Sequence, residues 1–326
     1  MGGNTMRQIL GVLLGLVALW AAPASAEDYP TRPIRVLVPY APGGIADIAA
    51  RIVGAKLTEL WGQQVAVENR PGGSGFIAME TTAHAAPDGY TLVMCTVGDI
   101  AINPFLFKDM PFNVDRDFAP IGSVSDAPMV LATNGNSPFK QVGEVIAAAR
   151  EKPGSLDVGT PGYGSINQIV MESMALATGT KFVHVPYKGG APAAQALAAG
   201  DIPLGILASS SVAPMVANGN IRVIAITTAK RSPLNPDWPT MQESGVPGIA
   251  SSNWTAFLAP AGTPQPIIDK LNAAVVKILD TQDVKDRFAA GGVNTIPSTP
   301  AELTARVKRE GAAYSEVIQK ANVHVD

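Results

Sequence analysis

Short apolar runs that alternate with helical patterns along the whole chain constrain its fold more than any other feature. Ile34–Val38 predicts a strand, and the Pro/Gly loop PYAPGG follows it. Ile45, Ile48, Ala49, Ile52, Val53, Leu57 and Leu60 then recur at steps of three and four, the spacing of one helix face. Residues 65–68 predict the next strand, followed by the loop RPGGSG and a helix from about Ser74. Residues 90–95 predict a third strand, with the loop TVGD and a short helix after it. Further strands are expected at 156–159, 182–185, 202–207, 221–227 and 255–259. Helices are expected at 142–150, 165–178, 191–199, 266–279 and 301–320. Such alternation implies βαβ units, hence an α/β fold with mainly parallel sheets. No repeat or linker divides the chain, and its 326 residues suit two domains or one large one.

The first 26 residues read as an address. Arg7 is the only charge before Glu27, residues 9–20 (ILGVLLGLVALW) are apolar, and Ala24-Ser25-Ala26 supplies a small-x-small cleavage pattern. The apolar run of 12 is shorter than the roughly 18 residues a membrane span needs. A secretory signal peptide cut after Ala26 is therefore expected, with Met6 as an alternative start. No Cys stands at the cut to carry a lipid, and nothing later is long and apolar enough to span a bilayer. The product is expected to be a soluble exported protein of 300 residues with net charge −4.

Charge and residue usage then exclude several classes. A net charge of −3 on the full chain argues against a nucleic-acid partner, which would require an excess of Lys and Arg. One cysteine, Cys95, excludes an internal disulfide and a multi-Cys metal site, and in an oxidising compartment it suits a buried thiol. His84, His184 and His324 lack metal-ligand spacing, and there is no HExxH, GxSxG or GxxxxGK[ST]. No metal, no cofactor and no catalytic residue is expected.

In open parallel sheets, ligands bind beyond the carboxyl ends of the strands. The richest Gly loops of this chain fall there: Pro42-Gly43-Gly44, Gly72-Gly73-Ser74-Gly75 and the segment GTPGYGS at 159–165. Glycine lets backbone N–H groups approach a ligand, and a following helix aims its positive end at it, which suits a carboxylate or phosphate. One such loop alone reads better as a tight turn; three together favour a shared anion pocket. Beside them stand the hydroxyls and amides of Tyr40, Thr96, Thr160, Ser165, Asn167, Tyr187 and Ser209, which suit hydrogen bonding to ligand oxygens. Asp47, in the first turn of its helix, reads more readily as a capping carboxylate than as a general base. Lys188 reads as a surface ion-pair residue.

Several motifs occur in a fixed order: VLVPYAPGGIADIAAR (36–51), VENRPGGSG (67–75), HAAPDGYTL (84–92), Asn103-Pro104, HVPYKGGAPA (184–193) and LAPAGTP (258–264). Across residues 28–326 the chain closely resembles the Bug family, periplasmic solute-binding proteins of tripartite tricarboxylate transporters. The resemblance implies a two-lobed, Venus-flytrap α/β fold that captures a small carboxylate between lobes and delivers it to membrane permease subunits. It implies lobes at 27–125 plus 226–326 and at 126–225, a monomer, and a periplasmic location.

By that resemblance, Tyr40, Ala41, Pro42, Gly43, Gly44 and Asp47 match the first-lobe loop that holds one carboxylate. Thr96 lies in the matching loop after the third strand, Gly164 and Ser165 match the second-lobe helix N-terminus, and Tyr187 matches the YKG motif beside the cleft. Two departures stand out. Gln168 replaces a frequent His, and Pro203 and Leu207 replace the acids of a VD-x-x-F-D stretch. A cleft-facing Leu207 would favour a ligand with an apolar middle and disfavour an amino acid. The other readings are a loaded sensor partner of a two-component system and, far behind, a secreted α/β enzyme, for which no nucleophile–base set is visible.

Overall fold

The computed structural model describes residues 29–232 and 235–323; the expected leader and its cleavage site lie outside the described residues. Strands β1 (Ile34–Val38), β2 (Val65–Asn69) and β3 (Thr91–Thr96) open the chain. Helices α1 (Ile45–Trp61) and α2 (Phe76–Ala83) connect them. α2 begins two residues later than its pattern suggests, because Gly73–Gly75 forms a 3-10 turn in which Ser74 (φ +55°) and Gly75 (φ +92°) are left-handed. A π-helical turn at Gly98–Ile102 leads into the short helices α3 (Asn103–Leu106) and α4 (Val114–Asp117).

Next comes the element that the sequence pattern does not reveal, the 17-residue strand β4 (Phe118–Asn134). It carries Pro120, Gly122, Asp126 and Pro128, all of which normally punctuate strands. Three register irregularities, at Pro120/Gly122 and Ser123/Ser125 opposite β9 and at Leu131/Ala132 opposite β8, break its alternation. It is buried on both faces, so no polar/apolar period marks it.

Then follow α5 (Val142–Glu151), β5 (Asp157–Thr160), α6 (Ile166–Thr178), β6 (Val183–Pro186), α7 (Gly190–Ala199), β7 (Leu204–Ala208), α8 (Ser209–Ala217) and β8 (Ile221–Ile226). The chain closes with β9 (Ser252–Pro260), α9 (Gln265–Leu279), α10 (Gln282–Ala290), β10 (Asn294–Thr295) and α11 (Pro300–Lys320).

The strand order is β2-β1-β3-β9-β4-β7-β5-β6, with β8 and β10 also paired to β4. The expectation of mainly parallel sheets needs correction. The pairings β1–β2, β1–β3, β5–β6 and β5–β7 are parallel, but those made by β4 and β9 are all antiparallel. Two lobes arise because β4 changes partners along its length. Residues 118–128 pair with β9, and residues 129–134 pair with β7 and β8. Where the chain returns after β8, wholly buried Thr227 clasps both passes: its N–H donates to the Met129 carbonyl (2.9 Å) and its hydroxyl to the Ser251 carbonyl (2.7 Å).

Three apolar clusters hold the lobes. One joins α1, α9 and α10 to one face of the first-lobe strands, with Leu57, Phe257 and Phe288 wholly or almost wholly buried. Another joins α2, α6 and α11 across both lobes through Trp254 and Met174. The third lies under α7 and α8 around Val130, Leu197 and Ile226. Cys95 is buried in the first-lobe sheet with its thiol 3.5 Å from the Ala256 carbonyl, as expected of a buried thiol. Among the described residues, no helix is long and apolar enough to cross a membrane and no group of side chains could hold a metal ion.

Candidate ligand-binding site

Four loops converge where the lobes meet. The first, Tyr40–Gly44, is built by Asp47 at the third position of α1. Gly43 N–H donates to Asp47 Oδ2 (2.9 Å), and Asn69 Nδ2 (2.9 Å) and Arg51 Nε (2.9 Å) donate to its Oδ1. Asn69 also donates to the Tyr40 carbonyl (3.0 Å), so one amide ties both ends of the loop to β2. Ala41, Pro42, Gly43 and Gly44 remain exposed, and Gly43 is left-handed (φ +89°). Asp47 is buried with both carboxylate oxygens engaged, and so it shapes this loop.

The second and third loops meet around a residue the sequence reading missed. Asp99 is wholly buried. Its Oδ2 accepts from the Thr96 N–H (2.7 Å) and hydroxyl (3.0 Å), and its Oδ1 accepts from the Tyr40 hydroxyl (2.9 Å), which also lies 3.0 Å from Thr96 Oγ1. Burial pushes its carboxyl pKa up to about 6, opposed by the hydrogen bonds from Thr96 and Tyr40. Burial and the neighbouring Asp99 also push the Tyr40 phenol well up. A Cβ on Gly75 would collide with Asp99 Oδ1, so only glycine fits the 72–75 loop against this carboxylate.

The fourth loop belongs to the second lobe. A Cβ on Gly98 would lie 3.3 Å from the Gly164 carbonyl oxygen and 3.4 Å from the Thr96 hydroxyl. A Cβ on Gly164 (φ +69°) would lie 2.7 Å from Asn103 Oδ1, and Asn103 Nδ2 donates to the Ser74 carbonyl (3.1 Å). The 96–99 and 162–165 loops thus meet at Gly98 and Gly164, the 72–75 loop meets Asp99 at Gly75, and the Asn103 side chain bridges the 72–75 and 162–165 loops.

Ser165 caps α6. Its hydroxyl donates to the Gly162 carbonyl (2.7 Å) and accepts from Gln168 N–H (3.3 Å), while Gln168 Oε1 accepts from Gly164 N–H (3.0 Å). The S-x-x-Q spacing at 165–168 is the signal of such a cap. The hydroxyl is therefore committed to the loop. The first-turn N–H groups of α6 have no acceptor within the helix.

The remaining candidates sort by burial. Thr160 is wholly buried, with Oγ1 2.6 Å from His184 Nε2 and within 3.3 Å of the Gly162 N–H and carbonyl, so it organises the GTPGYGS turn. The edge of the His184 ring meets exposed Tyr163 at 5.2 Å between centroids. Its Nδ1 is buried without a partner, and burial lowers its pKa to about 4. Asn167 is buried and donates through Nδ2 to the Ile206 carbonyl (2.9 Å), fastening α6 to β7. Ser209 donates to the Gly292 carbonyl (3.1 Å) and so ties the start of α8 to the segment before β10. The Tyr187 ring packs over β5 beside Gly159, in the cluster under α7. Leu207, expected beside a ligand, is wholly buried in that same cluster, because alternation on β7 turns it towards α7 and α8. Lys188 is exposed.

The comparisons with known proteins agree with this architecture. The sequence profile of the tripartite tricarboxylate transporter family receptor matches residues 49–323. Protein BugT of Bordetella pertussis is 34% identical over 96% of this chain and 96% of its own. A solved R. palustris protein with adipate has a TM-score of 0.86 at 33% identity, over 91% of this chain and 99% of that one. MatC from Rhodopseudomonas palustris, with bound malate, gives 0.82 at 32% identity over 89% and 100%. The periplasmic binding protein BugD gives 0.82 at 30% over 91% and 99%.

Proposed function

The chain belongs to the tripartite tricarboxylate transporter receptor family, and on that premise we propose that it captures a small organic carboxylate between its lobes and hands it to the permease subunits of such a transporter. The observation that carries this reading is the meeting of Gly98 and Gly164, which brings three Gly-rich loops and the start of α6 to one place. Backbone N–H groups at glycines and at a helix start suit an anion without a dedicated Arg. The relatives solved with adipate and malate hold ligands of this class.

In this reading the lobes divide where β4 changes partners after Pro128 and where Thr227 clasps the return pass. The ligand then bridges the lobes and selects their closed arrangement. The protein is exported, acts as a monomer, and binds without chemistry: among the described residues both buried carboxylates serve the fold, Asp99 held by Tyr40 and Thr96 and Asp47 by Gly43, Asn69 and Arg51, and the partly buried His184 imidazole is spent on a turn.

A thermal-shift series over mono-, di- and hydroxycarboxylic acids tests capture, because a ligand that binds only the folded state raises the melting temperature. The acids that shift it should also shrink the radius of gyration in solution scattering. A flat series, or an unchanged radius at saturation, would overturn the reading.

A further inference from the structure

The donors that Tyr40 and Thr96 could offer a ligand carboxylate are already taken by the protein's own carboxylate. The Tyr40 hydroxyl, the Thr96 N–H and the Thr96 hydroxyl all point at Asp99, at 2.9, 2.7 and 3.0 Å. Asp99 is wholly buried in this cradle, and the 72–75 loop closes over it with a glycine that leaves its Oδ1 no room for a Cβ.

Among the described residues, no Lys or Arg pairs with Asp99. The nearby Arg51 is committed to Asp47 (2.9 Å). On α11, which packs against the 98–102 turn, Arg306 pairs with Glu310 (2.8 Å), and Glu310 also accepts from Trp254 Nε1. The titratable groups that face Asp99 are the Tyr40 phenol and the buried Cys95 thiol, neither of which is cationic.

We propose that Asp99 is a built-in carboxylate that fills the first-lobe anion site, so that the captured ligand is a monocarboxylate whose acid group lies on the second-lobe side and whose other end is uncharged. The inference rests on the carboxylate-capture reading and narrows it. A second ligand carboxylate reaching towards Tyr40 and Thr96 would find its donors occupied and a like charge in front of it. An apolar or hydroxyl-bearing end meets neither obstacle. Asp99 thus acts as a specificity residue.

Calorimetric titration at pH 7.5 with chain-matched pairs tests this: butyrate against succinate, hexanoate against adipate, and benzoate against terephthalate. The expected result is at least tenfold tighter binding of the monoacid in the pair that fits. Asp99→Asn and Asp99→Ser, checked for folding by melting, should shrink that preference at least fivefold. A diacid that binds as tightly as its monoacid in the wild-type protein overturns the inference even if neither variant folds. An undiminished preference in folded variants overturns it too. Silence from all six acids would instead sink the carboxylate reading and this inference with it.

Discussion

His184 holds its Nε2 2.6 Å from the Thr160 hydroxyl while its Nδ1 is buried with no partner at all. A ring in that position is costly to charge. Its pKa falls from the usual 6.5 to about 4 because burial disfavours the imidazolium. The folded state then binds fewer protons than the unfolded chain between those values. Stability from this group is complete above pH 6.5 and is lost as pH falls towards 4. Discounted for partial exposure, the loss is on the order of 1–2 kcal/mol. His184→Gln should flatten this acid limb in melts taken at half-unit steps from pH 7 to 4. Parallel curves for the two proteins would refute it.

Asp99 imposes the opposite slope. Its folded pKa of about 6 stands above the ordinary 3.8, so the folded state binds more protons across that interval. Its contribution is complete below pH 3.8 and is lost as pH rises through 6, amounting to about 3 kcal/mol for a shift of about two units. Asp99→Asn should therefore gain stability relative to wild type as the pH is raised from 4.5 to 7.5. Urea midpoints at the two pH values decide it, and a constant offset between the proteins would count against the raised pKa.

Why Asp99 escaped the sequence reading is instructive. It is the last residue of the TVGD loop, yet a lone Asp there carries no pattern; only the fold reveals that Tyr40, 59 positions upstream, donates to it. Asn69 and Asn103 lie inside motifs that were legible as motifs, but their bonds to the Tyr40 and Ser74 carbonyls depend on how loops fold back. The helices were readable because their apolar residues recur at helical spacing, and the short strands because they are apolar runs bounded by turn residues. β4 was not, since its prolines stand at bulges and at the change of partner, and burial on both sides erases its period. The capping role of Asp47 was readable because the first turn of a helix is a local affair.

Asp47 also offers a test of how the first loop is held. Asp47→Ala removes the acceptor of Gly43 N–H, Asn69 Nδ2 and Arg51 Nε together. The expected cost is about 1–3 kcal/mol of stability, the range for leaving a buried hydrogen-bond group unmet. Affinity for any acid that binds should fall with it, because the Tyr40–Gly44 loop loses its tether. Asp47→Asn, which keeps an oxygen for Gly43, should recover part of both. Unchanged melting of the Ala variant would show that the loop is held elsewhere.

Ser165 gives the contrasting case. Its hydroxyl donates to Gly162 and accepts from Gln168, so Ser165→Ala strips a helix cap and leaves the backbone N–H groups of α6 in place. The expectation is a loss of about 1 kcal/mol in stability, with affinity for the bound acid changed less than threefold. A tenfold weaker complex at an unchanged melting point would mean that the hydroxyl turns to the ligand.

Leu207 separates packing from recognition most sharply. It is wholly buried in the cluster with Val130, Leu197 and Ile226. Leu207→Ala should cost about 2–5 kcal/mol, the usual range for emptying a core leucine site. The affinity of the protein that remains folded should not change. Leu207→Asp is the stronger probe. If position 207 faced a ligand, an acid there would weaken the binding of carboxylates while the fold survived. In a closed apolar cluster the same acid has neither water nor a cation, so the chain should melt far below wild type or fail to fold. A well-folded Leu207→Asp protein with altered ligand preference would place residue 207 in the cleft after all.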